Sequence, residues 1–288
     1  MSPIDLTSPA QLKELLRRHG FRARKRFGQN FLVDRNIVNK IIDAADIHEG
    51  DPVLEIGPGV GTLTEAIAER GARVVAVEID RYMIAILQEV LPKVEVVNDD
   101  ILRLDLPQFL ADHFGDLKVK VIGNLPYYIT SPIVTEMLAV RDRIERLVLT
   151  VQKEVGERLR ASPGTKDYGS MSVFVQFYAE VEVISHLSPN VFLPPPEVSS
   201  AIVRLTPRSE PPVDVPSEQL FFDIVHCGFG KRRKTLLNSL SDCPALGLSK
   251  EQVAHALHDA GIDPSLRAET LSLDDFARIA RSVDIGAV

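Results

Sequence analysis

From about residue 50 onward, short apolar runs rich in valine and isoleucine alternate with segments of helical periodicity. This alternation constrains the fold more than any other feature of the chain. The runs lie at Pro52 to Ile56, Arg73 to Ile79, Val94 to Val97, Val119 to Ile122 and Leu147 to Val151. Periodic segments such as Leu63 to Arg70 and Tyr82 to Val90 separate them. Strands that are apolar on both faces and divided by helices form a mostly parallel sheet covered on both sides. Val181 to Leu187 and Ser200 to Leu205 are expected to add two strands as a closing hairpin. After Thr206 the composition shifts. Pro207 to Pro216 holds four prolines and reads as a linker. Only helical patterns follow, at Glu218 to Gly228, Lys234 to Leu240, Lys250 to Ala260 and Leu273 to Ser282. The expected organisation is a basic N-terminal segment over 1–33, an α/β domain over 34–206 and a small all-helical domain over 207–288.

Charge narrows the range of partners. Lys and Arg total 33 and Asp and Glu total 40, a net charge of −7 that excludes a strongly basic, histone-like binder. The charge is uneven, however. Arg17 to Arg26 reads RRHGFRARKR, with six basic residues in ten positions. Asn36 to Asp100 holds five basic and thirteen acidic residues. A nucleic acid could therefore meet a local basic patch. Two cysteines, Cys227 and Cys243, are too few for a disulfide framework or a four-cysteine zinc site, so a reduced, cytoplasmic setting is expected. No apolar run reaches the ~18 residues of a membrane span. The first residues, with Pro3 and Asp5, lack the apolar stretch of a secretory signal. The seven histidines show no metal-ligand spacing, and no metal is expected. A monomer is expected, because no repeated apolar surface is evident.

Three strand ends carry the first chemical signal. Glu55-Ile56-Gly57-Pro58-Gly59-Val60-Gly61-Thr62 follows a strand and opens a helix. Glycines let the backbone turn sharply and let a ligand approach with no Cβ in the way, and a helix start offers unbonded N–H groups. Open α/β sheets bind ligands at this carboxyl edge. A plain strand-to-helix turn would explain the glycines alone, but the next two strand ends add acids. Glu78 lies about 20 residues on, where a carboxylate accepts ribose hydroxyls. At Asn98-Asp99-Asp100 an acid can accept an amino hydrogen from an adenine ring. Gly61 stands two positions after Gly59, whereas a dinucleotide fingerprint places its third glycine three positions after the second. No Lys-Ser or Lys-Thr pair follows, so the turn is not a phosphate-cradling loop. An acidic rim suits a cation, and S-adenosyl-L-methionine, a sulfonium with an amino-acid tail, meets these constraints.

The fourth strand ends in Gly123-Asn124-Leu125-Pro126-Tyr127-Tyr128, the most specific signal in the chain. Asn124 carries an amide oxygen that can accept a hydrogen bond. Pro126 cannot donate, and proline holds the residue before it extended, so a carbonyl here can face a ligand. Tyr127 offers a ring on which a base can stack. Together these groups suit an exocyclic amino group, with the Asn124 amide and the Pro126 carbonyl taking its hydrogens.

With these motifs the chain resembles the ribosomal RNA adenine N6-dimethyltransferase family of the KsgA type. The resemblance covers nearly the whole chain after about Lys25. It rests on FGQNFL (27–32), EIGPGVGTLT (55–64), VEID (77–80), NDD (98–100) and GNLPYY (123–128). Further matches are QKEVGERL (152–159), YGSMSVFVQFY (168–178), VFLPPPEVSSAIVRL (191–205) and GFGKRRKTLLNSL (228–240). The resemblance implies a Rossmann-like class I methyltransferase domain, with a mostly parallel seven-stranded sheet, and a small all-helical C-terminal domain. It implies an enzyme that uses S-adenosyl-L-methionine to dimethylate two adjacent adenines in the terminal hairpin loop of small-subunit (16S) ribosomal RNA. The partner implied is an immature small subunit, late in its biogenesis. Residue roles follow from the same matches. Gln29, Asn30 and Leu32 belong to a segment that folds over the cofactor. Gly57 and Gly59 lie in the glycine turn, with Gly57 under the methionine portion. Glu78 accepts from the ribose and Asp100 binds the adenine. Asn124 touches both methyl donor and target amine, and Phe192 packs on the target adenine opposite Tyr127. Glu197 stands where the family often carries Lys or Arg, which argues against a phosphate contact there.

Two basic clusters are candidates for RNA phosphates: Arg22, Arg24, Lys25 and Arg26, then Lys231, Arg232, Arg233 and Lys234. Charge runs are more often solvated faces, but these flank the methyltransferase motifs in sequence. Three rival readings are weaker. A relative acting on large-subunit RNA is disfavoured by the VFLPPPEV and FGKRRKTL segments, and a non-catalytic assembly factor by the intact NLPY turn and acids. A nicotinamide-dependent oxidoreductase is disfavoured by the glycine spacing.

Overall fold

The sheet's strand order decides where a ligand can bind. The structure, a computed structural model, describes residues 4–20, 29–231 and 233–283. Its strands are β1 Phe31–Leu32, β2 Pro52–Ile56, β3 Arg73–Val77, β4 Glu95–Val97, β5 Val119–Asn124, β6 Ile144–Gln152, β7 Ala179–Leu187, β8 Phe192–Leu193 and β9 Ser200–Pro207. The helices up to β7 are α1 Pro9–Arg18, α2 Arg35–Ala45, α3 Thr62–Glu69, α4 Arg81–Val90, α5 Leu106–Phe114, α6 Thr130–Ala139, α7 Lys153–Leu159 and α8 Ser170–Tyr178. After β9 come α9 Glu218–Gly230, α10 Leu236–Ser241, α11 Lys250–Asp259 and α12 Leu273–Ser282.

Seven strands form one sheet in the order β4-β3-β2-β5-β6-β9-β7. Strands β4 to β6 are parallel and β9 runs antiparallel to β6. The order reverses between β2 and β5, which opens a crevice at their carboxyl ends. Helices cover both faces, so Val53, Leu54, Val75, Val121 and Ile122 are fully buried. On one side the apolar stripes of α2 (Val38, Ile41, Ile42) and α3 (Leu63, Ala66, Ile67) join the core. A second cluster brings Leu12 and Leu15 of α1 against Phe31, Val60, Met83 and Ile86. Helices start where acids can cap them. Asp34 accepts from the N–H groups of Asn36 and Ile37, and Asp80 from that of Tyr82.

The two late strands close the sheet side by side, as expected: β9 pairs with β6, and β7 lies beside β9 at the outer edge. Residues 188–199 run out between them and form β8, which pairs antiparallel with β1 through Phe31↔Leu193 and Leu32↔Phe192. Pro194, Pro195 and Pro196 follow at once and cannot donate to a ladder, so β8 stops after two residues.

The chain divides into two compact units, Met1–Gly156 with Glu180–Pro207, and Glu157–Ala179 with Arg208–Val288. Residues 157–179, assigned from sequence to the α/β domain, thus belong to the helical unit. The reason is aromatic packing. Phe174 and Phe177 of α8 meet Phe222 and Phe221 of α9, and the Tyr178 hydroxyl donates to Glu218 at 2.5 Å. In the same unit Cys227 and Cys243 are joined as a disulfide, with Cα atoms 5.6 Å apart. The two reduced thiols expected from sequence are corrected on this point: packing of α10 on α9 brings the end of one helix beside the other.

Candidate active site

One cavity opens at the switch point, lined by the glycine turn after β2, the ends of β3 and β5, residues 99–102 beyond β4, and residues 29–32. Every cofactor residue expected from sequence lines it: Gln29, Asn30, Leu32, Gly57, Gly59, Glu78, Asp100 and Asn124. Its described lining carries four carboxylates, Glu55, Glu78, Asp99 and Asp100, and no Lys, Arg or His. Such a site favours a cationic ligand over a phosphate.

The glycine turn is held open by its backbone. Gly57 and Gly59 have φ of +67° and +58°, the left-handed region that other residues rarely adopt. A Cβ on Gly57 would meet nothing within 4 Å, so ligand atoms can take that space. A Cβ on Gly59 would stand 3.2 Å from the Phe31 ring, so this glycine lets the 29–32 segment close onto the turn.

Glu78 ties the turn to the second strand end. Its buried carboxylate accepts from the N–H of Gly59 at 3.1 Å and of Asp80 at 2.8 Å. Burial raises its pKa, while those two donors act to lower it. Asp80 also accepts from Gln29 Nε2 at 3.1 Å, which anchors the 29–32 segment. Asp100 accepts from the Leu102 N–H at 3.1 Å, and Asp99 from the Asp100 N–H at 2.7 Å.

Glu55 was assigned no role from sequence. Its side chain is fully buried and Oε2 has no hydrogen-bond partner. Burial, with the neighbouring Glu78 charge, pushes its pKa up to about 8. A buried carboxylate with one unpartnered oxygen on a cavity wall is costly unless a ligand compensates it. The signal was present in the sequence: Val53-Leu54-Glu55-Ile56 sets an acid inside an otherwise apolar strand.

The turn after β5 is anchored through β6. Asn124 stands opposite Thr150 and Ser200 opposite Gln152 in the ladders. The Tyr127 hydroxyl is hydrogen-bonded to Ser200 Oγ at 2.7 Å, which fixes its half-buried ring. Asn124 Nδ2 donates to the Asn30 carbonyl at 2.7 Å. The amide nitrogen is therefore committed to the 29–32 segment, and Oδ1 remains as the acceptor. Pro126 lines the cavity, and its carbonyl accepts the Ile129 N–H at 3.2 Å because the chain winds into a 3₁₀ turn, which takes one of its two lone pairs. The Leu125 carbonyl precedes that turn and is not used by it. Phe192 does not line the cavity. It is 3% exposed and packs among Leu32, Val38, Ile41 and Ile202, drawn in by the β1–β8 pairing.

Arg22, Arg24, Lys25, Arg26 and Arg232 lie outside the described residues. Lys231 and Lys234 share Asp242, at 3.2 and 2.6 Å, and Arg233 is exposed beside them. The cluster thus carries an acid of its own. Glu197 is exposed.

A switch-point cleft with acidic walls, open over a glycine turn, is built for a nucleoside with a cationic tail, and the fold is that of an S-adenosylmethionine-dependent methyltransferase. The residues fit that cofactor: Glu55 leaves a buried oxygen unpaired and Gly57 leaves room above the turn. The family model for ribosomal RNA adenine dimethylase matches residues 20–284, and the chain belongs to that family. Members are S-adenosylmethionine-dependent rRNA adenine dimethyltransferases. Ribosomal RNA small subunit methyltransferase A of Alkaliphilus metalliredigens is 47% identical over 96% of this chain and 98% of its own. The protein of the same name from Geobacillus thermodenitrificans is 45% identical over 97% of each chain. Among solved structures, a dimethyladenosine transferase from Plasmodium falciparum aligns with a TM-score of 0.73 and 25% identity, over 86% of this chain and 95% of that one. The 23S rRNA methyltransferase ErmE aligns with a TM-score of 0.67 and 30% identity, over 88% and 100%. No helix among the described residues is long and apolar enough to cross a membrane.

Proposed function

We propose that this protein transfers methyl groups from S-adenosyl-L-methionine to N6 of two adjacent adenines in the terminal hairpin loop of small-subunit ribosomal RNA. It acts as a monomer, in the cytoplasm, on an immature small subunit late in assembly. The observation that carries the chemistry is the Asn124 amide, whose nitrogen is tied to Asn30 so that its oxygen is left for an amine. The small-subunit target is supported by the names and 41–47% identities of the curated relatives.

When bound, the cofactor supplies an electrophilic methyl on its sulfonium sulfur. Glu78 accepts from the ribose hydroxyls, Asp100 takes the adenine amino group, and Gly57 and Gly59 give the methionine portion room. Gln29, Asn30 and Leu32 cover it. Adenine N6 is a poor nucleophile because its lone pair is delocalised into the ring. Asn124 Oδ1 and the Leu125 carbonyl accept its two hydrogens and draw the nitrogen toward tetrahedral geometry, which frees that pair. Tyr127 stacks on the base, which must leave its own stack to enter. Positioning and fixed dipoles supply the catalysis, and the amine loses its proton to water after transfer.

Incubation with labelled S-adenosylmethionine and unmodified small or large ribosomal subunits, followed by nucleoside mapping, tests this reading. Dimethyladenosine at two neighbouring positions of the small-subunit RNA is expected. Label confined to large-subunit RNA would overturn it.

A further inference from the structure

Flipping an adenine out of a loop leaves the face of its neighbour without a stacking partner. That loss is part of the energy an enzyme acting on a single base must offset. Tyr127 cannot serve both nucleotides, because its ring is fixed by the bond between its hydroxyl and Ser200. We propose that Tyr128 is the stacking platform for the nucleotide beside the flipped adenine. This rests on the reading of RNA adenine as the substrate and adds a positioning residue to that site.

Tyr128 is 62% exposed, more than any other exposed large hydrophobic side chain among the described residues. A lone exposed tyrosine carries little meaning. This one lines the mouth of the reaction cavity and directly follows the ring expected to hold the target base. Its backbone is not loose. It sits in the 3₁₀ turn Tyr127–Ile129, closed by the Ile129 N–H on the Pro126 carbonyl and running straight into α6. Two exposed residues lie close to the Ser200 that holds Tyr127: Val198, 44% exposed, two residues before it along the chain, and Lys153, whose N–H is bonded to the Ser199 carbonyl at 2.9 Å. An exposed aromatic face suits single-stranded RNA, because every base has a face to stack.

The test crosses two changes. Wild type, Tyr128→Ala and Tyr128→Phe are assayed for kcat/KM on unmodified small subunits. The subunits are reconstituted with intact RNA or with RNA made abasic at either neighbour of a methylated adenine. On intact RNA the Ala variant is expected to lose roughly 5- to 150-fold, the range of one base–aromatic stack, and the Phe variant to recover most of it. Removing the stacked base should slow the wild type by a similar factor and the Ala variant by less than about twofold. A merely misfolded variant would be slow on every RNA. Ala activity within twofold of wild type on intact RNA, or additive losses at both neighbours, would overturn the proposal. If the wild type methylates only large-subunit RNA, the substrate reading fails, and the same crossed comparison on that RNA still decides Tyr128.

Discussion

Replacing Glu55 with glutamine separates a structural acid from one that awaits a cation. The change keeps the side chain's shape and removes its charge. In the free protein the Glu55 pKa is raised from 4.5 to about 8 by burial and by Glu78. At pH 7 the group is therefore about nine-tenths protonated. A cofactor ammonium set against the unpartnered Oε2 favours the ionised form. Binding should then release roughly 0.9 proton per cofactor from Glu55 at pH 7. Titration calorimetry in phosphate and Tris, whose ionisation heats differ, counts those protons. The glutamine variant should release about 0.9 fewer. It should also bind S-adenosylmethionine more weakly by about 2 kcal/mol or more, about thirty-fold, the loss of one partner of a buried pair.

The same shift sets the sign of the free protein's stability against pH. A folded pKa above the unfolded one means that the native state holds its proton more tightly. The contribution is complete below about pH 4.5 and is lost as pH rises toward 8. At about 1.4 kcal/mol per pKa unit the full loss is roughly 5 kcal/mol. Denaturant midpoints of the free wild type should fall across this window relative to the glutamine variant, and saturating cofactor should narrow the gap. Equal proton counts in wild type and variant would refute the assignment of Glu55 to the cofactor's cation.

Asn124→Ala should lower methyl transfer by about 10²- to 10³-fold, as removal of a fixed transition-state donor or acceptor does, while S-adenosylmethionine binding by calorimetry changes little. Asn124→Asp should also weaken cofactor binding, because it sets a carboxylate oxygen where Nδ2 now lies 2.7 Å from the Asn30 carbonyl. Asp242→Asn should free the charges of Lys231 and Lys234. Small-subunit RNA should then bind more tightly and with a steeper salt dependence, by up to about 0.9 in the log–log slope per added phosphate contact, measured by filter binding across a salt series.

What the sequence disclosed depended on the range of the interaction. β2 to β6 were legible because each is a local apolar run, and their bounds moved by only a few residues at either end. The glycine turn and the Asn-Leu-Pro-Tyr turn were legible because backbone conformation is written in the residues themselves. The pairing of β9, rather than β7, with β6 depends on contacts that no local pattern carries. Residues 157–179, which carry α8, fell within the expected α/β domain because an apolar stretch says only that something packs on it. The partner turned out to be Phe221 and Phe222, far along the chain. Cys227 and Cys243 are separated by 16 positions and meet only after α10 folds back on α9. The role of Glu55 was not legible because a carboxylate in a strand shows its cost only once the fold buries it without a partner for Oε2.

The corrected place of Phe192 alters how the site is held together. Expected against the target base, it instead pairs with Leu32 across β1 and β8 and sits in the core. The segment over the cofactor is thereby fastened at four points: Gln29 to Asp80, Asn30 to Asn124, Phe31 beside Gly59, and Leu32 to Phe192. In the proposed mechanism, only the Asn30 contact reaches a residue that also faces the target amine. Its 2.7 Å bond leaves Oδ1 of the Asn124 amide for N6, so the contact that holds residue 30 is also the one that orients the acceptor.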